Sequence, residues 1–301
     1  MKKTEKIPVE FGGSRVLVSM SRFKKFALIL TAIALSSCAL SGSSEAGAAE
    51  KVTIRFLDVG QGLAVLLESR GKFALYDTGP DSSDFAETLG AFGVDSLEWL
   101  VLGNFNREHA GGFTEFGAQS PKIKQLYVAP DTAAGDVRAA VTEVAEGLGL
   151  KADTLRRGDS LKFAGLSFTS LWPPTLGSYG GNSASVVLNA KVGDESLLLT
   201  GDIEAAEEAE ILSLGSTFGG SLLQVANHGS SGSSSLSFLE VAAPSYAAIG
   251  VGEGNPGGLP EAQTLAKLYL VTGDSTSVFR TDQDGTICFE WQLGTGIWPC
   301  S

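Results

Sequence analysis

Histidine is the scarcest chemistry-bearing residue of this chain. The 301 residues include two histidines, His109 and His228. An imidazole can transfer a proton near neutral pH or bind a transition metal through one ring nitrogen. Any metal site that needs more than two imidazoles therefore cannot be assembled from this polypeptide.

Two other patterns near these histidines do not predict a function. Ser230, Ser231 and Ser233 follow His228, and a serine beside a histidine can act as a nucleophile, but serine is common throughout this chain. The glycine- and serine-rich residues 229–235 lack the lysine of a phosphate-binding loop.

The elements that position these residues follow from the apolar periodicity. Strands are predicted at 52–57, 63–67, 72–76, 97–102, 125–128, 167–171, 184–188, 196–199, 277–280 and 286–291. Helices are predicted at 83–92, 136–146, 203–212, 234–241 and 260–268. Hairpins come first and strands and helices then alternate, which favours an α/β fold with layers around two sheets.

The first 37 residues are predicted to be a bacterial lipoprotein signal peptide, with Met20 a better start than Met1. A basic patch at 22–25 precedes the apolar residues 26–35, a run too short to span a bilayer. Small residues then lead to Cys38, as in a lipobox, so cleavage there would give a lipidated cysteine. An ordinary signal peptide with a chance cysteine is the alternative.

The small, polar residues 38–50 are expected to be a flexible tether, and residues 51–301 a single domain. These features predict an exported, membrane-anchored lipoprotein of the cell envelope. Of the remaining cysteines, Cys288 and Cys300 either pair and hold the C-terminal tail to the last strand, or Cys288 stays free and buried.

The charge balance argues against a nucleic-acid partner. The chain has 22 Lys and Arg against 34 Asp and Glu, a formal net charge of −12. Proteins that bind DNA through its phosphates display clustered basic residues, whereas those of this chain are sparse and scattered.

Several ordered fragments together resemble the C-terminal domain of ComEC-type competence proteins. They are residues 56–62 (FLDVGQG), 76–79 (YDTG), 182–188 (NSASVVL), 198–204 (LLTGDIE), 227–230 (NHGS), 255–260 and 280–286. The resemblance implies a metallo-β-lactamase fold, a four-layered αββα sandwich that holds two metal ions, usually zinc or manganese, at one edge of its sheets. Such ions activate a bridging water for hydrolysis.

The resemblance also shows which ligand positions have changed. The family's HxHxDH loop reads here as residues 104–109 (NFNREH), with Asn104 and Asn106 in place of histidines and Glu108 in place of aspartate. Asn227 and Leu259 replace histidines further along. An amide oxygen is a weak ligand for zinc, so a complete two-metal site is not expected.

A site for a single metal ion is the alternative to having no metal site. Glu108, His109 and Asp202, with His228, could hold one divalent ion (Mn, Mg or Zn), and Asp202 would be its catalytic carboxylate. Otherwise these residues bond one another, with Arg107 or lysines neutralising the carboxylates. Asp77 either orients a ligand loop by hydrogen bonds or simply ends its strand.

Two functions follow. The first is a surface-tethered binding or scaffold protein with weak or no hydrolytic activity and no cofactor, whose ligand the sequence does not identify. The second is a metal-dependent phosphodiesterase or esterase with a single-ion site.

Overall fold

The computed structural model describes residues 6–11, 14–19, 50–81, 85–133, 135–215 and 217–301. The chain divides into two units, Met1–Glu45 and Ala46–Ser301. In the first, strand β1 (Lys6–Phe11) pairs antiparallel with β2 (Ser14–Ser19). The apolar run of the predicted signal peptide, Met20, Cys38 and the predicted tether up to residue 49 lie outside the described residues.

The first large sheet has eight strands in the order β10-β9-β7-β5-β4-β3-β18-β19. Their bounds are β3 (Lys51–Phe56), β4 (Val65–Ser69), β5 (Lys72–Tyr76), β7 (Leu100–Leu102), β9 (Leu126–Val128), β10 (Ala152–Thr154), β18 (Ile287–Gln292) and β19 (Gly296–Pro299). A separate short parallel pair consists of β6 (Ser96–Leu97) and β8 (Lys122–Ile123).

The second large sheet has seven strands, β11 to β17, in sequence order. They are β11 (Ser160–Phe163), β12 (Leu166–Trp172), β13 (Val187–Val192), β14 (Glu195–Leu199), β15 (Leu222–Gln224), β16 (Tyr246–Ile249) and β17 (Val278–Arg280). β14, β15, β16 and β17 are parallel neighbours, as are β5, β7, β9 and β10 in the first sheet.

Seven α-helices accompany these sheets in the described part of the chain. They are α1 (Phe85–Ala91), α2 (Arg107–Ala110), α3 (Asp136–Gly147), α4 (Ala205–Ser213), α5 (Leu236–Ala242), α6 (Ala262–Thr272) and α7 (Thr281–Asp284). None of the described helices is both long enough and apolar enough to cross a bilayer.

The alternation of side chains along the strands builds three apolar layers. In β4, Val65 and Leu67 face the core between the two sheets, whereas Leu66 packs on the outer face, in the cluster that holds side chains of α1 and α3. In β14, Leu197 enters the inter-sheet core and Leu198 the outer cluster of α4, α5 and α6. Helices therefore cover both outer faces, and the predicted α/β sandwich is confirmed.

The predicted elements agree with the structure best where the apolar periodicity continues over many residues. Strand 72–76 is reproduced to the residue, and helix 136–146 differs by one. Strand 184–188 was misplaced, because a 3₁₀ turn (Gly181–Ala184) precedes a strand that begins at Val187. The short strands β8, β10, β11, β15, β16 and β19 were missed, since two to four residues give too little period to detect.

The C-terminal strands are joined by a disulfide. Cys288 of β18 bonds Cys300, which follows β19, and the backbone N–H of Cys300 donates to the carbonyl of Cys288. Of the two alternatives for these cysteines, the structure therefore has the pair.

Candidate metal centre

Four chemistry-bearing residues follow the carboxyl ends of strands. Asp77 comes directly after β5, His109 lies in the segment after β7, Asp202 follows β14 and His228 follows β15. Each of these strands belongs to a parallel part of its sheet, where strand ends gather at one edge and the loops after them meet. The fold thus brings together residues that lie up to 151 positions apart in the sequence.

His109 is held between two carboxylates. Its Nδ1 lies 2.7 Å from Oδ2 of Asp77, and its Nε2 lies 2.7 Å from Oδ2 of Asp202. All three side chains are buried, with at most 1% of the surface exposed. Because an ionised carboxylate only accepts hydrogen bonds, both ring nitrogens must donate, which requires the imidazolium form.

The electrostatics support a charged His109. Burial opposes the charge, but the attraction of Asp202 and Asp77 and the two hydrogen bonds outweigh it and raise the pKa of His109 well above its usual value. The structure therefore places one positive charge between two negative ones, where the sequence prediction had Arg107 or lysines. That expectation is wrong for Arg107, which pairs with Asp81 at the surface.

The two carboxylates differ in proton affinity. Burial raises the pKa of Asp77 despite its bond to His109. For Asp202, burial is outweighed by the attraction of His109 and His228 and by the hydrogen bond from His109, so that its pKa is lowered to about 2. Of the pair, Asp77 takes up a proton first as the pH falls.

His228 is oriented toward Asp202 but does not hydrogen-bond it. Its Nδ1 lies 2.7 Å from the carbonyl oxygen of Gly250, which only accepts, so Nδ1 carries the proton. Its Nε2 lies 3.6 Å from Oδ1 of Asp202. Both of these atoms are buried and have no hydrogen-bond partner among the described residues.

Ligand atoms of His109, Asp202 and His228 all lie within 4.8 Å of one another. We refer to these three residues as the His–Asp centre. Of the four predicted ligands, Glu108 is not part of it: its side chain is half-buried, and its backbone carbonyl accepts from the N–H of Leu63. Glu108 and His109 are neighbours in helix α2 (Arg107–Ala110), and of the two only His109 is fully buried.

The asparagines at positions 104 and 106 make hydrogen bonds that hold the loop and link it to the second sheet. Asn104 is fully buried; its amide nitrogen donates to Oγ of Ser185 at 2.9 Å and its oxygen accepts from the N–H of Asn106. Asn106 donates to Oδ1 of Asn182 at 2.7 Å, and Asn182 in turn donates to Glu204 at 3.0 Å. The Asn104 amide is therefore committed to the loop itself, and that of Asn106 to a link across the sheets.

The other two substituted positions are Leu259 and Asn227. Leu259 packs against the outer cluster of the second sheet. Asn227 is half-buried, and its backbone N–H donates to the carbonyl of Gly201 at 3.1 Å. Neither residue belongs to the His–Asp centre.

Three site positions have a left-handed backbone without being glycine. The φ angles are 60° at Asp77, 50° at Asn227 and 51° at His228. Such conformations are uncommon for residues with a Cβ, and their clustering is typical of functional sites. Here they turn the chain sharply after β5 and β15, so that the side chains of Asp77 and His228 face inward.

Three supporting residues were not found from the sequence. Ser185 accepts from Asn104 and also from the N–H of Asp202 at 3.1 Å. Buried Gln224 accepts from the N–H groups of Thr200 and Gly201, both at 2.7 Å, and so holds the turn before Asp202. Gly250 supplies the carbonyl that fixes His228. Ser185 lies in the asparagine–serine fragment, the one signal that could have indicated it.

The donors present do not fit two ions. Two imidazoles exist, and Nε2 of His109 is already bonded to Asp202. The donors fit a single ion better, because Oδ1 of Asp202 and Nε2 of His228 are two unpartnered acceptors facing one another. Buried acceptors without a donor are costly and favour a cation or a water between them.

The family model for the metallo-beta-lactamase superfamily matches residues 57–253. The chain belongs to this superfamily. The matched range includes every residue of the His–Asp centre and all the substituted positions except Leu259.

Competence proteins are among the relatives. The chain is 30% identical over 269 residues to competence protein ComA of Neisseria gonorrhoeae, covering 88% of this chain and 36% of that protein. It is 28% identical over 264 residues to ComE operon protein 3 of Bacillus subtilis, covering 81% and 33%. The chain thus spans about a third of the length of these curated relatives, and the ComEC-type resemblance is confirmed.

A solved structure shows the same fold. The metallo-beta-lactamase fold protein YhfI from Bacillus subtilis aligns with a TM-score of 0.51 at 13% identity, over 80% of this chain and 99% of that one. At this identity the likeness concerns the fold alone.

Replacing His109 by glutamine should destabilise the domain by about 3–5 kcal/mol, because two buried carboxylates would lose their shared cation. The measurement is the free energy of unfolding in urea at pH 7 with EDTA. The triple variant Asp77→Asn/His109→Gln/Asp202→Asn, which buries no charge, should recover much of the loss. A single variant as stable as the wild type would contradict the imidazolium.

The pH dependence of the free energy of unfolding should follow the ionisation of Asp202. Its pKa of about 2 lies below the ordinary 3.8, so the carboxylate stabilises the fold above pH 3.8 and loses this effect as the pH falls through about 2. The lowered pKa corresponds to about 2 kcal/mol. In chelator-treated protein, the stability difference between wild type and Asp202→Asn should shrink between pH 4 and 2. A difference that stays constant over this range would exclude the ion pair.

Proposed function

We propose that residues 51–301 form a ComEC-like binding domain with weak or no hydrolytic activity. The observation that carries this proposal is the 2.7 Å contact between Nε2 of His109 and Oδ2 of Asp202. Both atoms are of types that ligate metal ions, and here they form a hydrogen bond with one another.

The surrounding residues support the same conclusion. Hydrolysis by this superfamily depends on metal ions that lower the pKa of a bound water and neutralise charge on the attacked group. At positions 104 and 106 the chain offers amides, which engage Ser185 and Asn182 instead. An imidazolium between two carboxylates supplies neither an open coordination site nor a surplus of positive charge.

We further propose that the domain acts at the cell surface, attached through a lipid on Cys38 and the tether of residues 38–50. The name of one relative, competence protein ComA, associates that protein with competence, but the acidic composition of this chain disfavours DNA as its ligand. A protein or small-molecule ligand suits the charge better.

A second candidate function is a single-metal hydrolase of phosphodiesters or other esters. It is favoured by the two unpartnered atoms, Oδ1 of Asp202 and Nε2 of His228. Asp202 and His228 would hold the ion, with Asp77 keeping His109 in place beside them. A divalent ion bound there would supply a water of lowered pKa.

Metal content distinguishes the two candidates. The binding domain is expected to carry far less than one Zn or Mn per chain by mass spectrometry after purification without chelator, and EDTA should leave its Tm unchanged. A tightly bound ion at 100 times its Kd would instead stabilise by about 2.7 kcal/mol, a shift of several degrees. Such a shift, lost in EDTA and restored by Mn or Zn, would reject the metal-free centre.

Hydrolysis is the direct test of the second candidate. The binding domain should leave bis(p-nitrophenyl) phosphate intact with Mn, Zn, Mg or Ca. If turnover occurs, the single-metal hydrolase requires that Asp202→Asn and His228→Gln both abolish it, whereas Glu108→Gln, outside the His–Asp centre, leaves it largely intact. Activity that survives Asp202→Asn would point to a contaminant.

A further inference from the structure

A cavity of about 430 Å³ lies beside helix α3 and shares no residue with the His–Asp centre. Much of its lining is apolar, with Val128 at the end of β9, Val141 and Ala145 of α3, and Leu150. Phe105, from the loop after β7, lines another part of it. A cavity of this size and lining is typical of sites for small organic ligands.

Two arginines line this cavity without a carboxylate partner among the described residues. The guanidinium of Arg138 lies 5.8 Å from the ring centre of Phe105, and its Nη1 donates to the carbonyl of Ala133 at 3.3 Å. Nη1 of Arg156 makes two long contacts, 3.4 and 3.5 Å, with backbone carbonyls of the loop after β12. Most of their donor capacity is therefore unused.

Elsewhere in the domain arginines are usually paired. Four others face a carboxylate within 4 Å: Arg55, Arg107, Arg157 and Arg280. Since acidic residues outnumber basic ones in this chain, two arginines that share a cavity and both lack a counter-ion are unusual for it.

The carboxylates of the cavity do not supply the missing counter-charge. Asp131 accepts from the backbone N–H groups of Ala133 at 2.7 Å and Gly181 at 3.0 Å, so its oxygens are engaged. Glu146 is exposed and forms no ion pair with either arginine. The lining thus contains two arginines and two carboxylates; because Asp131 is already engaged and Glu146 is exposed, the two guanidinium groups remain the available charged donors beside the apolar lining.

We propose that this cavity binds a small amphipathic anion, an apolar or aromatic body that carries a carboxylate or a phosphate. The body packs against Phe105 and the apolar lining, and the head group accepts N–H donors from Arg138 and Arg156, whose planar donor geometry suits both kinds of oxyanion. The proposal holds whether or not the His–Asp centre binds an ion, so its test is independent of the metal experiments.

The first experiment uses 8-anilinonaphthalene-1-sulfonate, an aromatic anion, as a fluorescent probe of the folded full chain. We expect saturable binding that Arg138→Gln and Arg156→Gln each weaken about tenfold through the loss of charge-assisted hydrogen bonds. The matched control is Arg70→Gln, an exposed arginine of the β4–β5 turn outside the cavity, which should leave the Kd unchanged. Equal affinity in all three variants would overturn the proposal.

A variant whose new side chain fills the cavity keeps the test decisive if an arginine variant fails to fold. Ala152 is exposed on edge strand β10 and lines the cavity, so Ala152→Trp should occupy the space without disturbing the core. Loss of probe binding at an unchanged Tm supports the site, whereas unchanged binding excludes it.

Displacement of the probe identifies the head group. 1-Naphthoate and 1-naphthyl phosphate are compared with neutral 1-naphthalenemethanol, which has the same naphthalene ring but no anionic head group. At least one of the two anions should displace the probe at about tenfold lower concentration than the alcohol, and the stronger one identifies the preferred oxyanion. If the alcohol competes as well as both anions, the cavity recognises apolar surface alone and the proposal is wrong.

Discussion

The two sheets of this domain meet at a buried chain of polar contacts, and the arrangement of the whole edge depends on it. Asp77 follows strand β5 of the first sheet and Asp202 follows strand β14 of the second, and His109 bonds both at 2.7 Å. Asp77 also accepts from the N–H of Gly103 at 2.6 Å, which fixes the start of the loop after β7. A single protonated ring thus joins both halves of the sandwich and positions the loop that the superfamily uses for chemistry.

Such a cross-link differs in kind from a metal site. An ion pair that is fully buried contributes stability only if every polar atom around it is satisfied. Around His109 this condition is met, because both ring nitrogens and the facing oxygens are paired. At Asp202 and His228 it is not, and two unpartnered acceptors remain. The hydrogen bonds on the His109 side are therefore complete, whereas the pair of atoms on the His228 side lacks a cation or a proton between them.

The fold and the residues that take part in the site were predictable from the sequence, but the way in which they combine was not. Short fragments such as residues 56–62 and 198–204 identify the family because their glycines and aspartates occur at fixed points of its turns. The scarcity of histidine is enough to exclude a complete two-ion site. The full burial of His109 beside a half-buried Glu108 could not be foreseen, because neighbours on one helical turn point in different directions. β15 and β16 escaped detection since their burial on both faces removes the alternation that indicates a strand.

The left-handed backbone at position 227 sets the range of residues that this site can accept. Asparagine enters the left-handed region more readily than most residues with a Cβ, whereas β-branched residues are strongly disfavoured there. An exchange of histidine for asparagine at this point preserves the turn that follows β15 and leaves His228 facing Asp202. The backbone at position 227 therefore limits which side chains can stand next to His228, whatever this edge of the domain binds.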